Sequence, residues 1–243
     1  MRLTRCYLDQ PLDVGTTVIL PESAAQHLIR VLRLREGDAC MLFNGDGHDH
    51  DARIVAIGKR ETQAEITARR RIDNESPLRI TLLQGIARGE KMDWIVQKAT
   101  ELGVARILPV ASERSDVRLD EARAHKRHAH WQEIAISACE QSGRAVLPEL
   151  LPTQPLASAT RRCDGTGFIL DPASAASIKS VASTLSTAST LAIGPEGGWS
   201  PRDLEQLREA GFCGLRLGPR VLRTETAGIA AIAALQALAG DLG

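Results

Sequence analysis

From residue 78 to residue 239 the chain alternates between short apolar runs and amphipathic stretches, and this alternation limits the fold more than any other feature. Residues 78–83, 106–110, 167–170, 190–193 and 212–217 read as strands. Between them, residues 90–102 place Met92, Ile95, Val96, Ala99 and Leu102 at helical spacing, and Gly103 ends the run. Residues 120–141 contain a long helix. Residues 201–210 form another, with Ser200 as N-cap and Pro201 at the first helical position. Residues 225–239 are the last. Repeated strand–helix order predicts a mostly parallel α/β sheet with helices on both faces.

The first 72 residues have a different rhythm. Short runs at 17–20, 39–43, 51–57 and 64–68 read as strands, and Asn44-Gly45-Asp46-Gly47 is a hairpin signal between two of them. Residues 22–32 read as a short helix with Ala25, Leu28, Ile29 and Leu32 on one face. The expectation is a small β-barrel-like domain over 1–72, a linker at Asn74-Glu75-Ser76-Pro77, and a second domain over 77–243.

Composition excludes several classes. Hydrophobic residues are 43% and charged residues 25%, an ordinary globular balance. The opening Met1-Arg2-Leu3-Thr4-Arg5-Cys6 lacks an apolar core region. The most apolar stretch, 227–238, is short and interrupted by Gln236, so a soluble cytoplasmic protein without membrane association is expected. The five cysteines show no C-x-x-C spacing, which predicts reduced, mostly buried thiols. His48-Asp49-His50-Asp51 and the histidines His125, His128 and His130 are metal-capable types without a recognised ligand spacing, so no metal is expected. Alternate residues of the first group are expected to face water. Net charge is zero, yet Arg30, Arg33 and Arg35 cluster, as do Arg69, Arg70 and Arg71. A balanced protein can still present a basic face, and solvated surface arginines explain the clusters equally well.

Two loops at strand ends have unusual composition. Ile193-Gly194-Pro195-Glu196-Gly197-Gly198-Trp199 combines three glycines with a proline and leads into a helix with free N–H groups. Leu217-Gly218-Pro219-Arg220-Val221-Leu222-Arg223-Thr224-Glu225-Thr226-Ala227 runs into the last helix and gathers Arg220, Arg223 and Glu225, with Thr224 as a candidate cap. Ligands of open α/β sheets bind beyond the carboxyl ends of strands. Neither loop is a dinucleotide or P-loop fingerprint, which disfavours NAD enzymes and NTPases.

These two loops resemble the ribosomal RNA small-subunit methyltransferase E family, of the SPOUT or α/β-knot superfamily. Three further stretches resemble its signatures: Lys91-Met92-Asp93-Trp94-Ile95-Val96-Gln97-Lys98-Ala99-Thr100-Glu101-Leu102-Gly103, Glu113-Arg114-Ser115 and Glu140-Gln141-Ser142-Gly143-Arg144. His27-Leu28 with Arg30-Val31-Leu32-Arg33 resembles its N-terminal domain. The resemblance spans nearly the whole chain; residues 173–189 are the least similar. It implies a C-terminal domain with a deep trefoil knot, an N-terminal PUA-like domain that helps bind RNA, and a homodimer. It implies transfer of a methyl group from S-adenosylmethionine to N3 of a uridine in small-subunit (16S) ribosomal RNA, with an assembled subunit as the expected partner. The donor is then expected on Leu170, Ile193, Gly194, Pro195, Glu196, Gly197, Gly198, Leu217, Gly218, Arg220, Leu222, Arg223 and Thr224, and the RNA on Arg30, Arg33, Arg35, Lys91, Lys98 and Arg114.

Methylating N3 requires loss of its proton. Arginine stays protonated, so Arg223 or Arg144 is expected to stabilise the uracil anion or to orient phosphate. Glu225 or Glu101 is expected to accept the proton. A structural ion pair is an equal reading of Glu101 and Arg144. The seven alanines of 227–239 suit either core packing or a dimer contact. Two rivals stay open: a non-catalytic RNA-binding assembly factor, and a SPOUT methyltransferase with another RNA target.

Overall fold

The computed structural model describes residues 4–115, 121–182 and 185–243. Met1, Arg2, Leu3, Asp120 at the head of the long predicted helix, and residues 183 and 184 of the variable stretch lie outside the described residues. The chain forms two compact units. The first is Met1–Asn74 with Cys139–Leu147; the second is Glu75–Ala138 with Pro148–Gly243.

The first unit is a five-stranded sheet built from β1 (Arg5–Tyr7), β2 (Thr17–Ile19), β3 (Ala39–Phe43), β4 (His48–Ile57) and β5 (Thr62–Arg71), in the order β1-β3-β4-β5-β2. Alternation sends Leu42, Ile54, Ala64 and Ile66 into one core with Leu8 and Leu28. β4 and β5 run longer than their apolar patterns suggest. Their extra residues pair His48 with Arg71 and Asp49 with Arg70, polar positions that carry no apolar strand pattern. The three-residue β1, which pairs in parallel with β3, is too short to show a pattern. The predicted helix over 22–32 begins as α1 (Glu22–Ala25) and continues as a π-helix over Gln26–Val31, in which Leu32 N–H donates to the His27 carbonyl at 3.0 Å. Leu32 is partly exposed rather than packed, because it caps this helix and Arg33, at φ 59°, turns the chain away.

The stretch from Cys139 to Leu147 is held in this unit by Arg5. The buried Arg5 guanidinium donates to Asp49 Oδ1 at 2.7 Å, to the Cys139 carbonyl at 2.7 Å and to the Arg144 carbonyl at 3.0 Å, and it lies 4.4 Å from the Phe43 ring centre. Asp49 and His50, adjacent in the strand, are both buried, Asp49 against Arg5, so simple alternation toward water does not hold here. Among the described residues no group of three His, Cys, Asp or Glu side chains is placed to hold a metal ion.

The second unit contains β6 (Arg79–Gly85), α2 (Lys91–Glu101), β7 (Arg106–Ala111), most of α3 (Glu121–Ser142), β8 (Glu149–Leu150), β9 (Gln154–Pro155), α4 (Leu156–Ala159), β10 (Thr166–Leu170), α5 (Ile178–Val181), β11 (Ala188–Ile193), α6 (Pro201–Glu209), β12 (Cys213–Leu215) and α7 (Thr224–Ala239). Its strands pair in parallel in the order β12-β10-β11-β6-β7-β8, with β9 beside β7. Successive residues of one strand enter two different cores. Leu82, Ile107, Phe168 and Leu191 pack with Met92, Ile95, Val96, Trp131, Ile232 and Leu235 from helices on one face. Leu83, Leu108, Ile169 and Ala192 pack with Leu156, Leu207 and Phe212 on the other. Both faces are covered, which is why these strands read as continuous apolar runs. Among the described residues no helix is long and apolar enough to cross a membrane.

Candidate active site

Three adjacent strands, β12, β10 and β11, end together, and the loops that follow them enclose a cavity of about 500 Å³. That volume lies within the range of ~300–1,000 Å³ usual for cofactor sites. Leu170, Asp171 and Pro172 line it from the end of β10, Ile193 to Pro195 from β11, and Leu215 and Leu217 from β12. Lys91, at the start of α2, completes one wall.

The loop after β11 is shaped by close backbone contacts. Gly198 adopts φ 67° and its N–H donates to the Pro195 carbonyl at 2.8 Å, closing a tight turn. Gly85, the last residue of β6, sits so close that a Cβ there would lie 2.6 Å from Pro195 Cδ. From outside the turn, Arg114 donates to the Gly197 carbonyl at 3.1 Å. Ser200 caps α6 as expected, accepting from the Asp203 N–H at 3.0 Å while Asp203 accepts from the Ser200 N–H at 3.0 Å. This capping box satisfies one of the helix N–H groups that would otherwise be free for a ligand.

The second loop enters α7 differently from the sequence expectation. Arg223 is the N-cap, with no side-chain cap bond, and Thr224 is the first helical residue. The Thr224 hydroxyl instead donates to the Gly194 carbonyl at 2.6 Å and accepts from Gln84 Nε2 at 3.1 Å. It joins the two loops rather than capping a helix.

Charge is concentrated on one wall. Lys91 Nζ lies 2.9 Å from Glu196 Oε1 and 3.9 Å from Glu225 Oε2. Burial works against the charged form of Glu196, but the Lys91 hydrogen bond and nearby backbone N–H groups, that of Arg88 among them, outweigh it and hold this carboxyl below its ordinary value. Glu225 Oε2 is buried and has no hydrogen-bond partner among the described residues; the same holds for Trp199 Nε1. Both residues line the cavity.

Most of the predicted site residues come together here. Leu170, Ile193, Gly194, Pro195, Glu196, Gly198, Leu217, Gly218, Arg220, Leu222, Arg223, Thr224 and Glu225 line the cavity, and Gly197 lies in the same loop. Arg220 and Arg223 are exposed at its rim. Lys91, expected on RNA, is a cavity-wall residue. Lys98 pairs with Glu101 at 2.8 Å on α2, and neither lines the cavity. Arg144 is buried in the first unit and is not a lining residue. Arg30, Arg33 and Arg35 are exposed in the first unit. Trp199, the last residue of the first predicted loop, lines the cavity without having been singled out, and Gln84 was missed altogether. A glutamine directly after Leu82-Leu83 in an apolar strand was the available signal for the second.

A family model described as an RNA methyltransferase domain matches residues 74–236, and one described as an RNA methyltransferase PUA domain matches residues 20–67. The chain is 34% identical over 243 residues to the ribosomal RNA small subunit methyltransferase E of Buchnera aphidicola subsp. Schizaphis graminum, covering 99% of this chain and 98% of that one. It is 30% identical over 235 residues to the Bacillus subtilis protein of the same name, covering 93% and 92%. Among solved structures, a Legionella pneumophila putative methyltransferase in complex with bound cofactor SAM superposes with a TM-score of 0.93 at 38% identity, over 100% of both chains. A Neisseria gonorrhoeae ribosomal RNA small subunit methyltransferase E bound to S-adenosyl methionine does so with a TM-score of 0.91 at 45% identity, again over 100% of both. With matches over its full length, at these identities and with this fold, the chain belongs to the ribosomal RNA small subunit methyltransferase E family.

Proposed function

We propose that this chain transfers a methyl group from S-adenosylmethionine to N3 of a uridine in small-subunit ribosomal RNA. The observation that carries the reading is the cavity at the ends of β10, β11 and β12, in a chain whose full-length structural relatives hold S-adenosylmethionine. The residues present fit such a donor. Among the described residues, a buried acceptor without a hydrogen bond, Glu225 Oε2, and a buried donor without one, Trp199 Nε1, belong to walls that also carry Leu170, Leu217 and Leu222. A molecule with a flat aromatic base, whose faces suit apolar side chains, and a charged amino-acid end meets both kinds of surface. Backbone groups of 193–198 and 217–222 would hold it.

When bound, S-adenosylmethionine supplies a methyl group on a positively charged sulfur, which keeps the electron pair of the broken carbon–sulfur bond. This chain's own residues prepare the acceptor. Glu225 takes the N3 proton; the N–H bond breaks and its electron pair stays on nitrogen. Glu196 is a poorer base, because Lys91 at 2.9 Å and the Arg88 N–H at 3.1 Å both hydrogen-bond its charged form, whereas Lys91 stands 3.9 Å from Glu225. Glu101 is away from the cavity and bound to Lys98. Arg223, at the rim and without an ion pair among the described residues, stabilises the negative charge of the deprotonated uracil. Holding base and donor in line accounts for much of the acceleration. The exposed arginines Arg30, Arg33 and Arg35 of the first unit bind RNA phosphate.

The reading includes a cytoplasmic homodimer acting on an assembled subunit. The face of α7 that bears Ala230, Ala233 and Ala237 is partly or fully exposed, while Ala231, Ile232 and Leu235 are buried in the core, so this helix serves its own fold and leaves a small-residue face for a second copy. The test is transfer of labelled methyl from S-adenosylmethionine to small subunits that lack the modification. Binding to the subunit without transfer would instead describe an assembly factor.

A further inference from the structure

Gln84 is fully buried and does not line the cavity, yet it joins β6 to two of the elements that form it. Its Nε2 donates to the Gly85 carbonyl at 2.8 Å and to Thr224 Oγ1 at 3.1 Å, and Thr224 Oγ1 in turn donates to the Gly194 carbonyl at 2.6 Å. The end of β6, the start of α7 and the first residue after β11 therefore meet at one hydrogen-bonded point. The Thr224 hydroxyl has one proton, which goes to Gly194, so its lone pair must be met by a donor. Gln84 is that donor.

The other end of the same amide is unsatisfied. Gln84 Oε1 is buried with no hydrogen-bond partner among the described residues. Gly228 leaves room beside it: a Cβ there would stand 3.7 Å from Oε1 and 3.6 Å from Ile193 Cγ1. A buried acceptor without a partner disfavours the folded state, and an apolar side chain of the same length would avoid that cost. The preceding Leu82 and Leu83 are apolar and fully buried, so the strand itself has no need of an amide. What the amide provides is the fixed spacing of Thr224 and Gly194, both of which line the cavity.

We infer that Gln84 is a positioning residue of the methyl-transfer site, setting the separation of the two donor loops through the Thr224 hydroxyl. The consequence for transfer rests on the proposed reaction; the loop coupling does not. Gln84→Met keeps the size and apolar stem and removes the amide, and Thr224→Val removes the hydroxyl from the opposite end. Amide hydrogen exchange on the ligand-free protein should show faster exchange at 194–199 and 217–223 in both variants, with the melting temperature of Gln84→Met equal to or above wild type. S-adenosylmethionine binding by calorimetry should weaken about tenfold in each, and the double variant should be no worse than the weaker single variant, because both act on one link. Wild-type exchange in the loops of Gln84→Met would overturn the inference, as would losses that multiply in the double variant. A collapse of Gln84→Met with the loops of Thr224→Val unaffected would mark Gln84 as a packing residue and overturn it equally. If the wild-type protein fails to bind S-adenosylmethionine, the proposed reaction falls, while loop exchange still decides the role of Gln84.

Discussion

Lys91 Nζ lies 2.9 Å from Glu196 Oε1, a contact that ties the first residue of α2 to the loop after β11. Replacing Lys91 with methionine should loosen that loop and weaken S-adenosylmethionine binding by about tenfold, close to 1.4 kcal/mol. The pH dependence follows from Glu196. Its folded value is held below the ordinary 4.5, so the contribution of the tie is complete above 4.5 and is lost as the pH falls through the lower folded value. Calorimetric affinity should therefore be level from neutral pH down to about 5 on the ordinary carboxylate scale. A midpoint of loss well above that point would contradict the pairing.

In the proposed reaction Glu225 accepts the proton and Arg223 stabilises the charge at the base. Glu225→Gln preserves shape and removes the proton acceptor, so donor binding should persist while the single-turnover rate falls by about 10²–10⁴. Arg223→Ala should lower the rate by about 10²–10³ with the fold intact, through loss of charge stabilisation. Turnover unchanged in either variant removes that residue from the mechanism.

Gly85→Ala probes the close approach of β6 to the loop after β11. The added methyl would meet Pro195 Cδ at 2.6 Å and Pro195 N at 2.8 Å, and neither atom can rotate away. Overpacking of this kind costs about 1–3 kcal/mol. Urea unfolding should show the loss, and displacement of the loop should weaken donor binding in parallel. A variant with wild-type stability and affinity would show that the loop tolerates movement.

Much of this architecture was legible because the second unit covers both faces of its sheet. Buried parallel strands read as apolar runs, and α2 and α6 announce themselves through Met92-Ile95-Val96-Ala99 spacing and the Ser200-Pro201 start. The two cavity-lining loops were legible through their glycines. Three features were not. Thr224 reads as a cap, because local pattern cannot reveal a partner 30 residues away at Gly194. The burial of Arg144 was hidden, because the Arg5 that binds its carbonyl lies 139 residues earlier in the chain. The pairing of Lys91 with Glu196 was hidden too, because a lysine at a helix start gives no hint of the carboxylates it will meet.

The thiols give a test of stability at alkaline pH. Burial first, then the nearby Glu140 and Cys40, pushes Cys6 from its ordinary 9.0 up to about 12; burial raises Cys40 to about 11. In the unfolded chain both ionise near 9.0, so the folded state loses relative stability as the pH rises above 9.0 toward the folded values. Urea midpoints should fall between pH 8 and pH 11 on this account. At pH 8 the exposed Cys213 should be alkylated rapidly, and Cys6 and Cys40 only on unfolding, as read by mass spectrometry. Rapid labelling of Cys6 in the native protein would contradict the first unit's packing.

The central claim is the chemistry at the uridine base. Small subunits lacking the modification are incubated with the protein and methyl-labelled S-adenosylmethionine, the RNA is digested, and the labelled nucleoside is identified by chromatography and mass spectrometry. The account predicts label in 3-methyluridine at one position of the small-subunit RNA, lost with Glu225→Gln. Label in any other nucleoside, or none above background with intact donor binding, would contradict it.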